Sequence, residues 1–330
     1  MEKFDFVILG AGVAGLSFAK KVSERGFSVL ILEKENVVGG LSRTLNHNGF
    51  LLDFCAHRFH SKNEEVLKEV FGLDMTWKKH LKKSRVYIYN KYLKYPYEVQ
   101  NLLRAMPLHE SFLCGLSFLK AQLIRPFPKE RIKSYRDWFV YFYGEHMYNY
   151  MMRNYTEKIW HMDPKYLSAD WADQRFQGLK IRQLITQTLV KISKLDFKPT
   201  PLEDELYPDA APFYYPKAGA QRIPDRLLAE SEKSAAQVLT QIKVARINRL
   251  PKHPEITFEY QDNQYQVSTD YILSTIPLHT TVSLVSHRPP KSVKLALKRT
   301  RYMNIIFVNL ILNKPKINHN NKNIDGTVHQ

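Results

Sequence analysis

Three glycines and one acid carry the clearest chemistry in this chain of 330 residues. Gly10, Gly12 and Gly15 stand in Gly-x-Gly-x-x-Gly spacing, with Glu33 downstream. Gly10 allows a tight strand-to-helix turn, Gly12 lets backbone approach a pyrophosphate, and Gly15 lets helix and strand pack closely. The N–H groups around Val13 and Ala14, at the start of the helix, present free donors and a positive dipole end to phosphates. Glu33 stands where a carboxylate accepts hydrogen bonds from a ribose 2′-OH. An acid there favours an unphosphorylated ribose, hence FAD or NAD over NADP. A second set of residues could handle a substrate. Tyr155 and Trp160 can stack on a ring. Arg175 and Arg182 can grip a phosphate or carboxylate in bidentate fashion. The imidazole of His57 can serve as hydrogen-bond partner or proton acceptor. Each also has a plain structural reading: His57 as a loop-fixing residue, Trp160 as core, Arg175 as a surface ion-pair partner. Cys55 and Cys114 are too far apart to suggest a disulfide framework or a metal site, so no metal is expected.

These residues need elements to hold them. Phe4 to Leu9 reads as a short buried strand, Leu16 to Arg25 as a helix, and Phe27 to Leu32 as a second strand ending at Glu33. Thr44 to Leu52 reads as a hairpin around Asn46 to Gly49, and Asn63 to Phe71 as a helix. Arg85 to Tyr95 predicts a second hairpin turning at Asn90-Lys91. From Asn101 to Lys194 the pattern is mainly helical, with helices at Glu110 to Ile124 and Ser134 to Tyr150. Phe197 to Pro208 reads as a loop. Gln221 to Ser231 predicts a helix. Gln241 to Leu250, Glu255 to Tyr260, Tyr265 to Thr269 and Tyr302 to Leu312 predict strands, and Asn313 to Gln330 a polar tail.

Charge narrows the partners. The chain holds 49 Lys+Arg against 32 Asp+Glu, a net +17. Basic surfaces attract anions, whether nucleotides, nucleotide-sugars, anionic lipid or nucleic acid. No nucleic-acid motif accompanies the charge, so no nucleic-acid partner is expected. No apolar run reaches the length of a membrane span, while peripheral membrane contact stays open. A small-molecule substrate of anionic character and a cytoplasmic location fit the charge and the sparse cysteines.

The stretch Asn36 to Thr44 extends the nucleotide signal, with Gly39-Gly40, Leu41, Ser42 and Arg43 following the acid-ended strand. It resembles the FAD-binding amine-oxidase superfamily. The resemblance implies FAD as cofactor and places Lys34, Gly39, Gly40, Leu41, Ser42, Arg43 and His57 around it, with Val244 against the adenine. Tyr155 to Pro164, His57 to Ser61 and Phe213 to Gly219 look like the branch that holds UDP-galactopyranose mutases and protoporphyrinogen-oxidase-like proteins. In that branch a Tyr-Thr-x-Lys-x-Trp segment faces the flavin, and Arg175 stands where the family carries an arginine. The resemblance therefore implies His57, Trp160 and Arg175 as catalytic candidates, and Tyr155, Trp160, Arg175 and Arg182 as substrate contacts.

The expected fold class is α/β. A Rossmann-type FAD-binding domain is assembled from discontinuous segments, 1–80 and 208–277. A helical and antiparallel substrate domain takes 81–207 and 278–330. The expected activity is an FAD-dependent oxidoreductase of the amine-oxidase type, passing hydride from substrate to flavin. The alternative is a mutase-like, flavin-dependent sugar-nucleotide isomerase, and a third reading is a truncated, inactive flavoprotein. Two departures from the family pattern bear on these. Cys55 replaces the glycine of Asp-x-Gly-x-His, adding a side chain where backbone approaches cofactor. The family's closing segment after the strand at 302–312 has no match, which predicts weak flavin retention.

Overall fold

The computed structural model describes residues 2–55, 57–61, 63–80, 85–88, 91–94, 106–124, 126–176, 213–248, 253–300 and 302–313. In chain order the first strands are β1 (Glu2–Leu9), β2 (Val29–Leu32), β3 (Thr44–His47), β4 (Phe50–Asp53) and β5 (Trp77–His80). They are followed by β6 (Arg85–Ile88), β7 (Lys91–Lys94), β8 (Phe213–Pro216) and β9 (Gln237–Leu239). Last come β10 (Lys243–Asn248), β11 (Glu255–Tyr260) and β12 (Asn263–Ser274). The chain divides into two compact units, 1–80 with 213–330, and 81–212.

The first unit is built on a six-stranded sheet in the order β10-β11-β12-β1-β2-β9. β12, β1, β2 and β9 run parallel, while β10, β11 and β12 form an antiparallel meander. β12 joins the two halves: Asn263 to Ser268 pair with β11, and Val267 to Ser274 pair with β1. Side chains alternate across a strand, so a sheet covered on both faces needs apolar residues at successive positions. Val7-Ile8-Leu9 and Val29-Leu30-Ile31-Leu32 supply them. Ile8, Val29 and Ile31 join α1 (Val13–Ser23) and the helix Arg222–Lys233 in one core. Val7, Leu9, Leu30 and Leu32 join Ile247, Ile256 and Phe258 in the other.

Smaller pieces surround the sheet. β3 pairs with β4 as the expected hairpin. α2 (Glu64–Phe71) begins at Asn63, whose side chain accepts from the N–H groups of Glu65 and Val66. β5 pairs with β8 across a long stretch of sequence, and Phe71, Trp77 and Tyr214 form an edge-on aromatic cluster beside them.

The second unit contains the β6–β7 hairpin and a group of helices. Tyr135, Trp138, Phe139, Tyr148 and Ala172 form its core. The helix Tyr135–Tyr143 opens with a capping box from Ser134 and Asp137.

The structure corrects several expectations. The helix expected over Ser134 to Tyr150 breaks at Gly144, whose φ is +86° and where a side chain would collide with Ser117. A π-helical turn, Tyr148–Arg153, then leads into the helix Asn154–Trp160. The strand expected at Tyr265 to Thr269 runs on in both directions as β12, Asn263–Ser274. β5, β8 and β9 form although the sequence predicts no strand there, because each is defined by a distant partner. Residues 302–312 form no strand with any described residue, and Ile306 is 88% exposed. Apolar content alone does not make a strand; a ladder partner does. Residues 278–300 and 302–313 group with the sheet unit rather than with 81–212, and Val285 bridges to Ile247 of β10. The expected loop at Phe197 to Pro208, Arg182, and the tail beyond Asn313 lie outside the described residues.

Candidate dinucleotide site

β1 delivers the chain to the centre of the parallel half-sheet, and the turn into α1 is set by three glycines with different physical demands. Gly10 has a φ of +100°, and a side chain there would press on Thr275 Oγ1 at 2.8 Å. A Cβ on Gly15 would collide with the Gly10 carbonyl. Gly12 differs from both: its φ is −72°, and a Cβ would meet nothing within 4 Å. Gly10 and Gly15 are thus required by the fold, whereas Gly12 borders open space.

That space faces the start of α1. No side chain caps this helix and no acid lies in its first turn. Leu16 N–H donates to Gly12 O at 3.0 Å, so the N–H groups of Val13, Ala14 and Gly15 precede the first intrahelical bond. A helix end with free donors and a positive dipole, with room beside it, suits a diphosphate.

The second glycine pair lies against the first loop. Gly39 N–H donates to Ala11 O at 2.8 Å, and Gly12 and Gly39 form a parallel bridge. Gly39 has φ +117°, and a Cβ there would crowd Pro224 Cγ at 3.0 Å. Gly40 lies against Gly12, its notional Cβ 3.4 Å from Gly12 Cα. Leu41 is exposed and Ser42 half-buried on the short 3-10 turn that follows. Arg43 locks the turn: Nε donates to Gly40 O at 3.0 Å, and Nη1 to Glu35 Oε2 at 3.3 Å. Its guanidinium also lies over the Phe54 ring at 4.6 Å. Hydrogen bonding from Lys34 and the charge of Arg43 hold the Glu35 carboxyl below its usual range. Lys34 itself is exposed and pairs with Glu35 at 3.3 Å.

Glu33 is buried. Its Oε2 accepts from Ala11 N–H at 2.7 Å and its Oε1 from Glu35 N–H at 3.0 Å. The acid therefore also shapes the glycine loop, a role that motif spacing does not reveal. A carboxylate has about four lone-pair sites, so two acceptances leave capacity for a ribose hydroxyl. His57 Nε2 lies 2.9 Å from Leu41 O. A carbonyl only accepts, so this nitrogen carries the proton, and in the neutral ring Nδ1 is left as an acceptor. Cys55 is half-buried two residues earlier. Val244 is half-buried on β10, beside a register shift between Val244 and Arg246.

Sequence reasoning missed a polar cluster behind this turn. Tyr215 O–H donates to Asp53 Oδ2 at 2.7 Å, and Thr44 O–H donates to Asp53 Oδ1 at 2.5 Å. Gln221 N–H donates to Thr44 Oγ1 at 3.0 Å. The Gln221 amide donates to Val38 O at 3.0 Å and to Asp225 Oδ1 at 2.8 Å. Burial, then the hydrogen bond to Asp53, pushes the Tyr215 phenol well above its ordinary range. Gln221 Oε1 is buried with no partner among the described residues, and it would lie 3.3 Å from a Cβ on Gly39. The only sequence signal was Gly219 after the aromatic run, with φ +100° against Thr44.

In the second unit Tyr155 is 53% exposed, while Thr156 is 1% exposed. Trp160 is half-buried and meets Trp171 edge-on at 5.3 Å. The side-chain oxygens of Tyr148 and Thr156 and Nε1 of Trp160 are buried without a hydrogen-bond partner among the described residues. Burial pushes the Tyr148 phenol up to about 12. Arg175 is the penultimate residue of the helix Ala169–Phe176; its side chain, like Arg182, lies outside the described residues. No group of metal-binding side chains occurs among the described residues. None of the described helices is long and apolar enough to cross a membrane.

A parallel half-sheet, a glycine loop opening onto an uncapped helix and a buried acid at the end of the second strand define a dinucleotide-binding protein. Comparison with known families narrows the class. Residues 13–329 match the model of the flavin containing amine oxidoreductases, and the chain belongs to that family, whose cofactor is FAD. A UDP-galactopyranose mutase of Mycoplasma pneumoniae is 38% identical over 69 residues, 20% of this chain and 17% of the relative. A crystal structure of reduced UDP-galactopyranose mutase superposes with a TM-score of 0.69 at 22% identity, covering 87% of this chain and 58% of that one. A structure of an Exiguobacterium sp. 255-15 protein described as a protoporphyrinogen oxidase gives 0.58 at 16% identity, covering 86% and 61%. These structures share the fold, and the chain spans less than two thirds of their length. The open space at Gly12 and the free donors of α1 fit the diphosphate of FAD.

Proposed function

We propose that this chain is a flavoenzyme that binds FAD at the α1 N-terminus and oxidises a small organic substrate. The observation that carries the reading is the pairing of open space at Gly12 with an uncapped helix. In it, the N–H groups of Val13, Ala14 and Gly15 bind the diphosphate, and Gly40 closes on it from the other side. Glu33 fixes the loop through Ala11 and offers its remaining lone pairs to the ribose. Arg43 holds Gly39-Gly40 in place through the Gly40 carbonyl rather than by touching phosphate. Val244 lies against the adenine. His57, with its Nε2 proton committed to Leu41 O, presents Nδ1 as the proton acceptor. When bound, FAD supplies the acceptor for a substrate hydride. Tyr155 and Trp160 stack on the substrate, and Arg175 and Arg182 hold an anionic group on it.

The test is flavin retention and reduction. Purified protein reconstituted with FAD is expected to hold it stoichiometrically, and amines or polyenes of the right class to bleach its absorbance without oxygen. Failure to bind FAD overturns the cofactor assignment. A second reading, flavin-dependent isomerisation of a sugar nucleotide, draws on the likeness to UDP-galactopyranose mutases. Saturable binding of UDP by the reduced protein, with no bleaching by any reductant substrate, selects that reading.

A further inference from the structure

The carboxyl ends of β1 and β12 lie side by side, and doubly wound sheets hold their ligands at such strand ends. Thr275, one position past β12, links the two ends. Its N–H donates to Leu9 O at 2.9 Å and extends the ladder by one step. Its hydroxyl lies 3.0 Å from Leu9 O and 3.2 Å from Gly10 O. A hydroxyl has one proton, so the two carbonyls share it. Gly10 is thereby held on both sides, because its own N–H donates to Leu32 O on β2 at 2.9 Å. The Gly10 carbonyl is also the group that a Cβ on Gly15 would strike, so the first turn of α1 rests on it. Its direction therefore sets where the N–H groups of Val13, Ala14 and Gly15 point.

We infer that Thr275 is a positioning residue for the diphosphate cradle: its hydroxyl holds the Gly10 carbonyl, and through it the uncapped start of α1. The inference rests on the reading of that helix end as the FAD site. Gly10 sits at φ +100°, in a region where glycine turns freely, so its peptide needs an outside tether to keep one direction. Closing the sheet would not require the hydroxyl, since the Thr275 N–H already satisfies Leu9 O. The reach to Gly10 O goes instead to the carbonyl in contact with the helix. The neighbouring hydroxyl serves a different element. Ser274 Oγ lies 2.6 Å from Thr281 Oγ1 on the helix Leu278–Leu284, and that pair ties the strand end to this helix rather than to the glycine turn.

Flavin fluorescence titration of the full chain tests this, at a temperature where circular dichroism shows each variant folded. Thr275→Val keeps the shape and loses the hydroxyl, and it is expected to weaken FAD binding about tenfold. Thr275→Ser keeps the hydroxyl and is expected to stay within about threefold of the wild type. Thr281→Val breaks the neighbouring hydroxyl pair and is expected to leave FAD affinity unchanged. Thr275→Ala is expected to match Thr275→Val, and it decides the matter if that variant misfolds. A role in folding alone would lower the melting temperature of Thr275→Val and leave its FAD affinity at the wild-type value, which overturns the inference. Binding by Thr275→Ser or Thr281→Val as weak as that of Thr275→Val overturns it as well. Wild-type protein that binds no FAD overturns the cofactor reading itself, and this inference with it.

Discussion

The glycine loop before α1 and the helical segment from Tyr148 to Trp160 both leave polar groups without partners among the described residues, but the groups differ in kind. At the loop they are backbone N–H groups at an uncapped helix start, beside open space at Gly12. In the helical segment they are side-chain atoms, Tyr148 Oη, Thr156 Oγ1 and Trp160 Nε1, each buried. Free donors at a helix end are obligatory, since the first turn has no acceptors of its own. Buried side-chain donors without partners are costly exceptions, tolerated where something else satisfies them. The first arrangement follows from backbone geometry and the second from packing.

The largest expected effect would break the loop. Gly15→Ala puts a methyl group into the Gly10 carbonyl, and thermal melting is expected to show a loss of about 3 kcal/mol. Gly12→Ala separates binding from stability. Its φ suits alanine, so the melting temperature is expected to hold or rise slightly. A methyl in the cradle is expected to weaken FAD binding roughly tenfold to a hundredfold, read by flavin fluorescence titration. Unchanged FAD affinity would remove the diphosphate from that space.

Smaller effects sharpen the contrast. Tyr215→Phe removes a donor to the Asp53 carboxylate behind the loop, at an expected cost of about 1.5–3 kcal/mol in denaturant unfolding. Thr156→Val replaces a buried hydroxyl that has no partner among the described residues with a methyl of the same shape, so stability is expected to rise by about 1 kcal/mol. If that hydroxyl serves a ligand, substrate KM rises in the same variant. The smallest effect is in pH. The Tyr148 phenol is raised from 10.0 to about 12, so any stability linked to it is intact below pH 10.0 and is lost as pH rises toward 12. Spectrophotometric titration is expected to show late phenolate transitions from Tyr148 and Tyr215, and Tyr148→Phe to remove only the one near pH 12.

Much of the first unit was legible because its signals are local. Successive apolar residues give β1 and β2 two buried faces, and glycines at Gly10 and Gly39 permit positive φ. The roles of neighbouring residues were less legible. Arg43 and His57 follow the motif, yet Arg43 bonds to Gly40 O and Glu35 Oε2 and His57 Nε2 to Leu41 O, all within the turn and the chain leading into it. The run at 302–312 has the composition of a strand, but a strand is a relation between two segments, and no partner is described for it.

By itself the sequence determined the strand–glycine loop–helix unit, the acid that follows it, and with them the class of cofactor. It could do so because each glycine is constrained by backbone sterics within a few residues. Only the tertiary structure decided that Glu33 braces the loop through Ala11, that β9 pairs with β2, and that Asp53, Thr44, Tyr215 and Gln221 converge behind Gly39. Those contacts join residues far apart in the chain, and their geometry exists only once the sheet has brought the segments together.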